Sequence, residues 1–284
     1  MKKNFSRCDR ILVVEEVLPF LEDNVKILAA EMAPEIGIKH FYGKKSGHIP
    51  SIGELNPDLV IAALGELLDL SYEPVPAEFK EQADALVAGK APSRGLTFCP
   101  GCPHRASFFS IHNALELDGR KGFMCGDVGC YTLAILPTGF NTLRTAQSMG
   151  SGSGLASGFA KLKQFGMDQP VLAACGDSTF FHAAIPALIN AVHNEAPFTL
   201  VLLDNSGTAM TGFQPHPGLK VSAMTNNAPA VDIEAICRSL GARVEVCDPY
   251  DLKRTRKTLT DLMDDERGAK VLILRHECAL SPER

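Results

Sequence analysis

Two rhythms of apolar and polar positions run along this chain. Ile11-Leu12-Val13-Val14 is an unbroken apolar run, which predicts a short buried strand, and the stretch from Val17 to Met32 changes to helical spacing. "NPDLVIAAL" (56–64) predicts the start of a second helix, with Pro57 in the first turn and Asp58 after it. Two or three elements cannot bury a good core alone. Residues 1–70 are therefore read as a partial α/β segment that packs on something else or is the remnant of a larger domain. Residues 71–96 carry Pro74, Pro76 and Pro92 with few large apolar side chains, the composition of a linker around one short polar helix.

From residue 97 to 284 the rhythm is regular. Apolar runs at 123–125, 171–175, 198–203, 243–246 and 271–274 predict strands, and helical patterns occupy 148–164, 181–193, 232–240 and the region near 250–265. Ile185, Leu188, Ile189 and Val192 recur at helical spacing, as do Ile233, Ile236 and Leu240. Strands that alternate with helices predict an α/β fold, a doubly wound parallel sheet covered on both faces.

Composition changes this picture little. The chain has 284 residues, 45% of them hydrophobic and 21% charged, as in ordinary globular proteins. A net charge of −5 gives no basic field for nucleic acid or an anionic membrane. No apolar run approaches the ~18 residues of a membrane span, and "MKKNFSRCDRILVVEE" lacks the long apolar stretch of a signal peptide. Nine cysteines at scattered spacing point to a reducing, cytoplasmic setting, where they act as metal ligands, nucleophiles or core filler rather than disulfides.

Candidate chemistry gathers at two strand ends. In "AACGDSTFFH" (173–182) an apolar strand stops at Gly176-Asp177-Ser178 and a helix follows; after the next strand comes Asn205-Ser206-Gly207. Ligands of open parallel sheets bind beyond the C-terminal strand ends. Asp177 and Asn205, 28 residues apart, can converge there as hard oxygen ligands for Mg²⁺. Gly176 admits a phosphate close to the backbone, and the following helix start aims its N–H groups at that anion. By itself, Gly-Asp reads first as a tight turn with Asp177 capping the helix. Cys99-Pro-Gly-Cys102 has four readings: a redox pair, half of a zinc site, part of an iron–sulfur cluster, or buried thiols in a turn. No second Cys-x-x-Cys exists to complete a zinc site.

Gly-Asp-X followed about a helix and a strand later by Asn resembles the diphosphate-binding motif of thiamine diphosphate enzymes. Ser178 stands where that motif has Gly, and Asp204-Asn205 where it has Asn-Asn. "FCPGCPHRASF" (98–108), "GDVGCYTL" (126–133), "SMGSGSGLASGFAK" (148–161), "GDSTFFHAAIPALINAVHN" (176–194) and "LDNSGTAMTGFQPHPG" (203–218) resemble the alpha subunit of indolepyruvate:ferredoxin oxidoreductases. "RILVVEEVLPFLEDNVKILA" (10–29) and "GHIPSIGELNPD" (47–58) resemble the segment just before it.

That resemblance implies oxidative decarboxylation of an aryl 2-oxo acid to an acyl-CoA, with electrons passing to ferredoxin. It implies Mg²⁺ on Asp177, Asn205 and the Gly207 carbonyl, and diphosphate contacts from Gly176, Ser178 and Thr179. Met149 and Gly150 would approach the cofactor, and Thr208, Ala209 and Met210 would border its thiazolium. His104, His182 and His216 lie in matching motifs and are candidates for substrate contact or proton movement, against the alternative of caps or structural hydrogen bonds. In the order of the pyruvate-type relatives, Cys99, Cys102, Cys130 and Cys278 would hold one [4Fe-4S] cluster. Cys125, Cys175, Cys237 and Cys247 read as core filler.

The resemblance also implies partners. A pyrimidine-binding domain with an activating glutamate would come from another chain, with a beta/gamma-type subunit, ferredoxin and CoA completing the system. Glu15 and Glu16 are read as structural or interfacial rather than as that glutamate. "KRTRK" (253–257) reads as the solvated face of a helix, or else as a dock for an acidic ferredoxin. Two rivals are kept: a non-oxidative thiamine-dependent 2-oxoacid decarboxylase, which needs no cluster, and a non-catalytic thiamine-binding assembly subunit.

Overall fold

The computed structural model describes residues 2–71, 75–90 and 95–281. Contacts divide the chain into two compact units, 1–93 and 94–284.

In the first unit, β1 (Arg10–Leu12) and β2 (His40–Tyr42) form a two-stranded parallel sheet joined through α1 (Phe20–Glu31). Of the run expected to be buried at Ile11–Val14, Val13 is buried, Ile11 and Leu12 are half-buried and Val14 is exposed. The helix starts later than the apolar pattern suggests. Val17 adopts φ 65°, outside the helical region, and Glu15 supplies the start signal. Its carboxylate accepts the amides of Leu21 at 2.6 Å and Glu22 at 2.8 Å. Val25, Ala29 and Met32 of this region bury against Phe5 in a small core. The Glu22 side chain is fully buried there against Lys26 Nζ at 2.5 Å. A Cβ at Gly43 would come within 2.7 Å of that carboxylate, which explains the glycine. α2 (Pro57–Leu67) starts as expected, its first turn capped by the Asn56 side chain accepting from Leu59 N at 3.0 Å. α3 (Ala77–Val87) is the short polar helix of the expected linker and buries no residue. Pro74 and Pro92 lie outside the described residues.

The second unit is a six-stranded parallel sheet. Its strands are β3 (Phe123–Gly126), β4 (Leu143–Ala146), β5 (Val171–Gly176), β6 (Thr199–Asp204), β7 (Arg243–Cys247) and β8 (Lys270–Arg275), in the order β4-β3-β5-β6-β8-β7. The helices are α4 (Pro103–Asp118), α5 (Ser151–Lys161), α6 (Ile185–His193), α7 (Ile233–Ser239) and α8 (Leu252–Asp264). Alternate strand residues serve opposite layers, as period-two geometry requires. Ala173, Cys175, Leu200 and Leu202 pack with α5, α6 and α7, while Leu172, Ala174, Val201 and Leu203 pack with α4 and α8. The doubly wound α/β expectation therefore holds. From β3 the chain steps outward to β4, and from β5 it steps the other way. The crevice between the C-terminal ends of β3 and β5 is thus the topological switch point, where such sheets bind ligands.

Two elements have no counterpart in the sequence pattern. α4 carries His104, Ser107 and Ser110 on its buried face among Phe108, Ile111 and Ala114, so its apolar stripe is interrupted. β4 is a four-residue edge strand containing Arg144. Between β5 and α6 the chain makes a helical turn, Asp177–Thr179, and then a π-helical turn, Phe180–Ala184. Pro186, lacking an N–H, cannot continue the ordinary ladder from that turn, and a π turn absorbs the break. Among the described residues no helix is long and apolar enough to cross a membrane.

Candidate functional site

The β5–β6 register sets Gly176 opposite Leu203, so Asp177 and the Asp204-Asn205 pair leave the sheet side by side. Asp177 is buried. Its Oδ1 accepts the Ser178 amide at 2.8 Å, and its Oδ2 accepts the Gly207 amide at 3.2 Å. One carboxylate therefore ties the turn after β5 to the loop after β6. His216 Nε2 lies 3.2 Å from the same Oδ2, but no well-aligned hydrogen bond satisfies it. Its Nδ1 accepts the Gly218 amide at 3.1 Å, so in the neutral ring the proton sits on Nε2, facing Asp177. Asp204 turns the other way and accepts from Arg275 Nε at 2.7 Å, leaving Asn205 for the cavity.

That cavity, about 130 Å³, opens at the switch point. Gly176, Asp177, Ser178 and Thr179 form one part of its lining. Asn205, Gly207, Thr208, Ala209 and Met210 form another, and Met149, His104 and Cys130 also reach it. Met149 and Met210 are about half exposed there. Gly150 stands behind the lining as the residue that starts α5, at φ 84°. A Cβ on it would fall 2.4 Å from that of Ala183. Gly150→Ala should therefore cost about 3 kcal/mol from the left-handed backbone and the clash together. A urea melt of the unliganded chain reads this directly.

The three histidines part company. His104 is buried, and burial lowers its pKa to about 4, opposed by the charge of Asp177. It is neutral in the fold at physiological pH. Unfolded, it titrates near 6.5, so native stability should fall as pH drops from 6.5 towards 4. Melting curves at pH 7 and pH 5 should show a larger acid loss for wild type than for His104→Gln. His216 touches Asp177 from outside the cavity lining. His182 sits exposed on the π turn, away from the cavity.

The sequence reading passed over two residues. Asp127, directly after β3, is buried and accepts the Tyr131 hydroxyl and the Gly152 amide at 3.2 Å. Burial pushes its pKa up, against the bonds from Tyr131 and Gly152. The available signal was Gly126-Asp127, a second Gly-Asp at a strand end.

Cys99, Cys102, Cys130 and Cys278 are free thiols drawn from three places in the unit, the first two from one turn. Burial raises the Cys102 thiol, and the charges of Cys99 and Cys278 add to the shift. Burial likewise raises Cys130 to about 11, with contributions from Cys102, Cys278 and Cys99. The Gly101 turn packs beside Ala279, its position for a Cβ lying 3.6 Å from the alanine methyl. The four thiols thus share one neighbourhood. Among the described residues, however, no three His, Cys, Asp or Glu side chains stand close enough to hold a metal ion. The donor chemistry suits a cluster, but the present spacing of the thiols is not that of a formed one. The set expected for Mg²⁺ is of another kind: Asp177, Asn205 and Gly207 offer a carboxylate, an amide oxygen and a carbonyl, and all three residues line a single cavity. Hard oxygens beside a close-approach glycine fit Mg²⁺ and a diphosphate. Cys125, Cys175, Cys237 and Cys247 are buried in the apolar layers.

Residues 127–273, just over half the chain, match the family described as thiamine pyrophosphate enzyme, C-terminal TPP binding domain. The chain is 40% identical over 280 residues to indolepyruvate oxidoreductase subunit IorA of Methanothermobacter marburgensis, a match covering 97% of this chain and 42% of the relative. To the subunit of the same name in Archaeoglobus fulgidus it is 37% identical over 284 residues, covering 98% of this chain and again 42% of the relative. The chain therefore spans less than half the length of these relatives. A 2-oxoglutarate:ferredoxin oxidoreductase from Magnetococcus marinus superposes with a TM-score of 0.54 at 19% identity, over 66% of each chain, a likeness of fold. The parallel sheet, the cavity at its switch point and the match over residues 127–273 agree: the chain belongs to the thiamine pyrophosphate enzymes and carries their C-terminal TPP binding domain.

Proposed function

We propose that this chain is the cofactor-binding portion of a 2-oxoacid:ferredoxin oxidoreductase that converts aryl 2-oxo acids, indolepyruvate foremost, to acyl-CoA. The observation that carries this is the convergence of Asp177, Asn205 and Gly207 on one cavity beside Gly176. Asp177, Asn205 and the Gly207 carbonyl would hold Mg²⁺, while Gly176, Ser178 and Thr179 receive the diphosphate. Thiamine diphosphate, when bound, supplies the nucleophile and the electron sink for losing CO₂ from a 2-oxo acid. Thr208, Ala209, Met210 and Met149 provide the apolar border that keeps water from the reacting ring. His104, held neutral, offers a hydrogen-bonding imidazole at the cavity wall.

Cys99, Cys102, Cys130 and Cys278 would hold a [4Fe-4S] cluster, and Cys130 already lines the cofactor cavity. The activating glutamate is assigned to a partner chain. Glu15 is engaged in capping α1, and Glu16 accepts the Leu55 amide at 2.9 Å. The similarity to subunits named indolepyruvate oxidoreductase favours the aryl substrate.

The test is a steady-state assay of this chain assembled with its beta/gamma-type subunit and pyrimidine-binding partner. Ferredoxin reduction that requires both indolepyruvate and CoA is expected. Release of CO₂ at full rate without ferredoxin or CoA would favour the decarboxylase instead.

A further inference from the structure

We propose that Asp127 and Tyr131 are positioning residues of the diphosphate turn, and that they draw the Thr179 hydroxyl inward so that it does not face the cofactor. This deepens the thiamine diphosphate reading and rests on it.

Asp127 is fully buried after β3, and both its oxygens accept: Oδ1 from the Tyr131 hydroxyl, Oδ2 from the Gly152 amide at 3.2 Å. Tyr131, also buried, has one hydroxyl proton, and that proton lies on Asp127 with the Val128 carbonyl nearby at 3.1 Å. Thr179 Oγ1 sits 3.2 Å from the same phenolic oxygen. With the phenolic proton committed, Thr179 must be the donor in that contact. Its hydroxyl then turns only lone pairs outward, which would repel a diphosphate oxygen. Residue 179 is left to meet the cofactor through its backbone. Ser178 differs: among the described residues its hydroxyl has no hydrogen-bond partner, so it is free to donate.

Sterics support the same link. A Cβ at Gly129 would lie 2.3 Å from the Tyr131 ring, and one at Gly176 would lie 3.3 Å from it. The ring is wedged between the turn bearing Cys130 and the turn bearing Asp177. It spans the switch point, and its hydroxyl ties one turn to the other.

The experiment is a double-mutant cycle on thiamine diphosphate affinity, by calorimetry on the full chain assembled with its pyrimidine-binding partner, with excess Mg²⁺. Tyr131→Phe keeps the ring and removes the tether, and Thr179→Val removes the other end. Each should weaken binding about tenfold, and the double variant should be no weaker than either single one. Thr179→Ser, which retains the hydroxyl, should bind as wild type does. Affinity unchanged or improved in Tyr131→Phe while Thr179→Val loses affinity would overturn the proposal, because the hydroxyl would then serve the cofactor directly. Should Tyr131→Phe not fold, Asp127→Asn takes its place in the cycle, with unchanged affinity again the contradicting result. A wild-type chain that binds no thiamine diphosphate even when assembled with its pyrimidine-binding partner would overturn the proposed function itself, and this inference with it.

Discussion

Asp177→Ala should weaken thiamine diphosphate binding in the presence of Mg²⁺ by more than about 100-fold. Loss of an outer-shell partner of a metal ligand typically costs about 10–100-fold, and Asp177 is proposed as a ligand itself. It is also the only carboxylate of that set. The side chain has a second task, since its Oδ2 accepts the Gly207 amide at 3.2 Å and its Oδ1 the Ser178 amide at 2.8 Å. Alanine would leave those buried amides without their acceptor, at about 1–3 kcal/mol each in stability. Asp177→Asn separates the two roles. It keeps an oxygen for one amide while removing the charge, so the fold should survive with Mg²⁺-dependent binding lost. Equal affinity in Asp177→Asn and wild type would place the metal elsewhere.

Cys102→Ser and Cys130→Ser should each remove most of the iron from the chain purified without oxygen. Wild type is expected to carry about four irons and four acid-labile sulfides. Burial holds the Cys102 and Cys130 thiols protonated at neutral pH in the unloaded protein, Cys130 with a pKa of about 11. Iron binding must displace those protons, so cluster assembly should slow as pH falls. Cys237→Ser is the matched control. Its thiol, carried by α7, is buried in the apolar layer against the sheet, and the substitution should leave iron content alone. Iron near zero in wild type, with all thiols titrating freely, would remove the cluster and strengthen the decarboxylase reading.

The sequence was most legible where burial was complete and apolar. β5, β6 and β8 are buried along nearly their whole length and read as continuous apolar runs. The pairing of Asp177 with Asn205 followed from two such strands being neighbours, because parallel register delivers consecutive strand ends to one place. Legibility failed where the buried face was polar. α4 hides His104, Ser107 and Ser110, which interrupt the apolar spacing of Phe108, Ile111 and Ala114 on the same face. The Asp127–Tyr131 pair failed for a related reason. A carboxylate is buried there because a phenol and an amide satisfy it, and spacing in the chain does not show that. His182 was singled out by its motif, yet the π turn forced by Pro186 leaves it in solvent. In the first unit, Val17 and Glu15 show a helix start fixed by backbone conformation and a cap, against an apolar pattern that ran on past it.

The central claim is that the switch-point cavity binds thiamine diphosphate through Mg²⁺. The most direct measurement is calorimetric titration of thiamine diphosphate into the full wild-type chain assembled with its pyrimidine-binding partner, with Mg²⁺ and then with chelator. One site per chain, present with Mg²⁺ and abolished by chelator, is the predicted result. No binding under either condition, or binding indifferent to chelator, would contradict it.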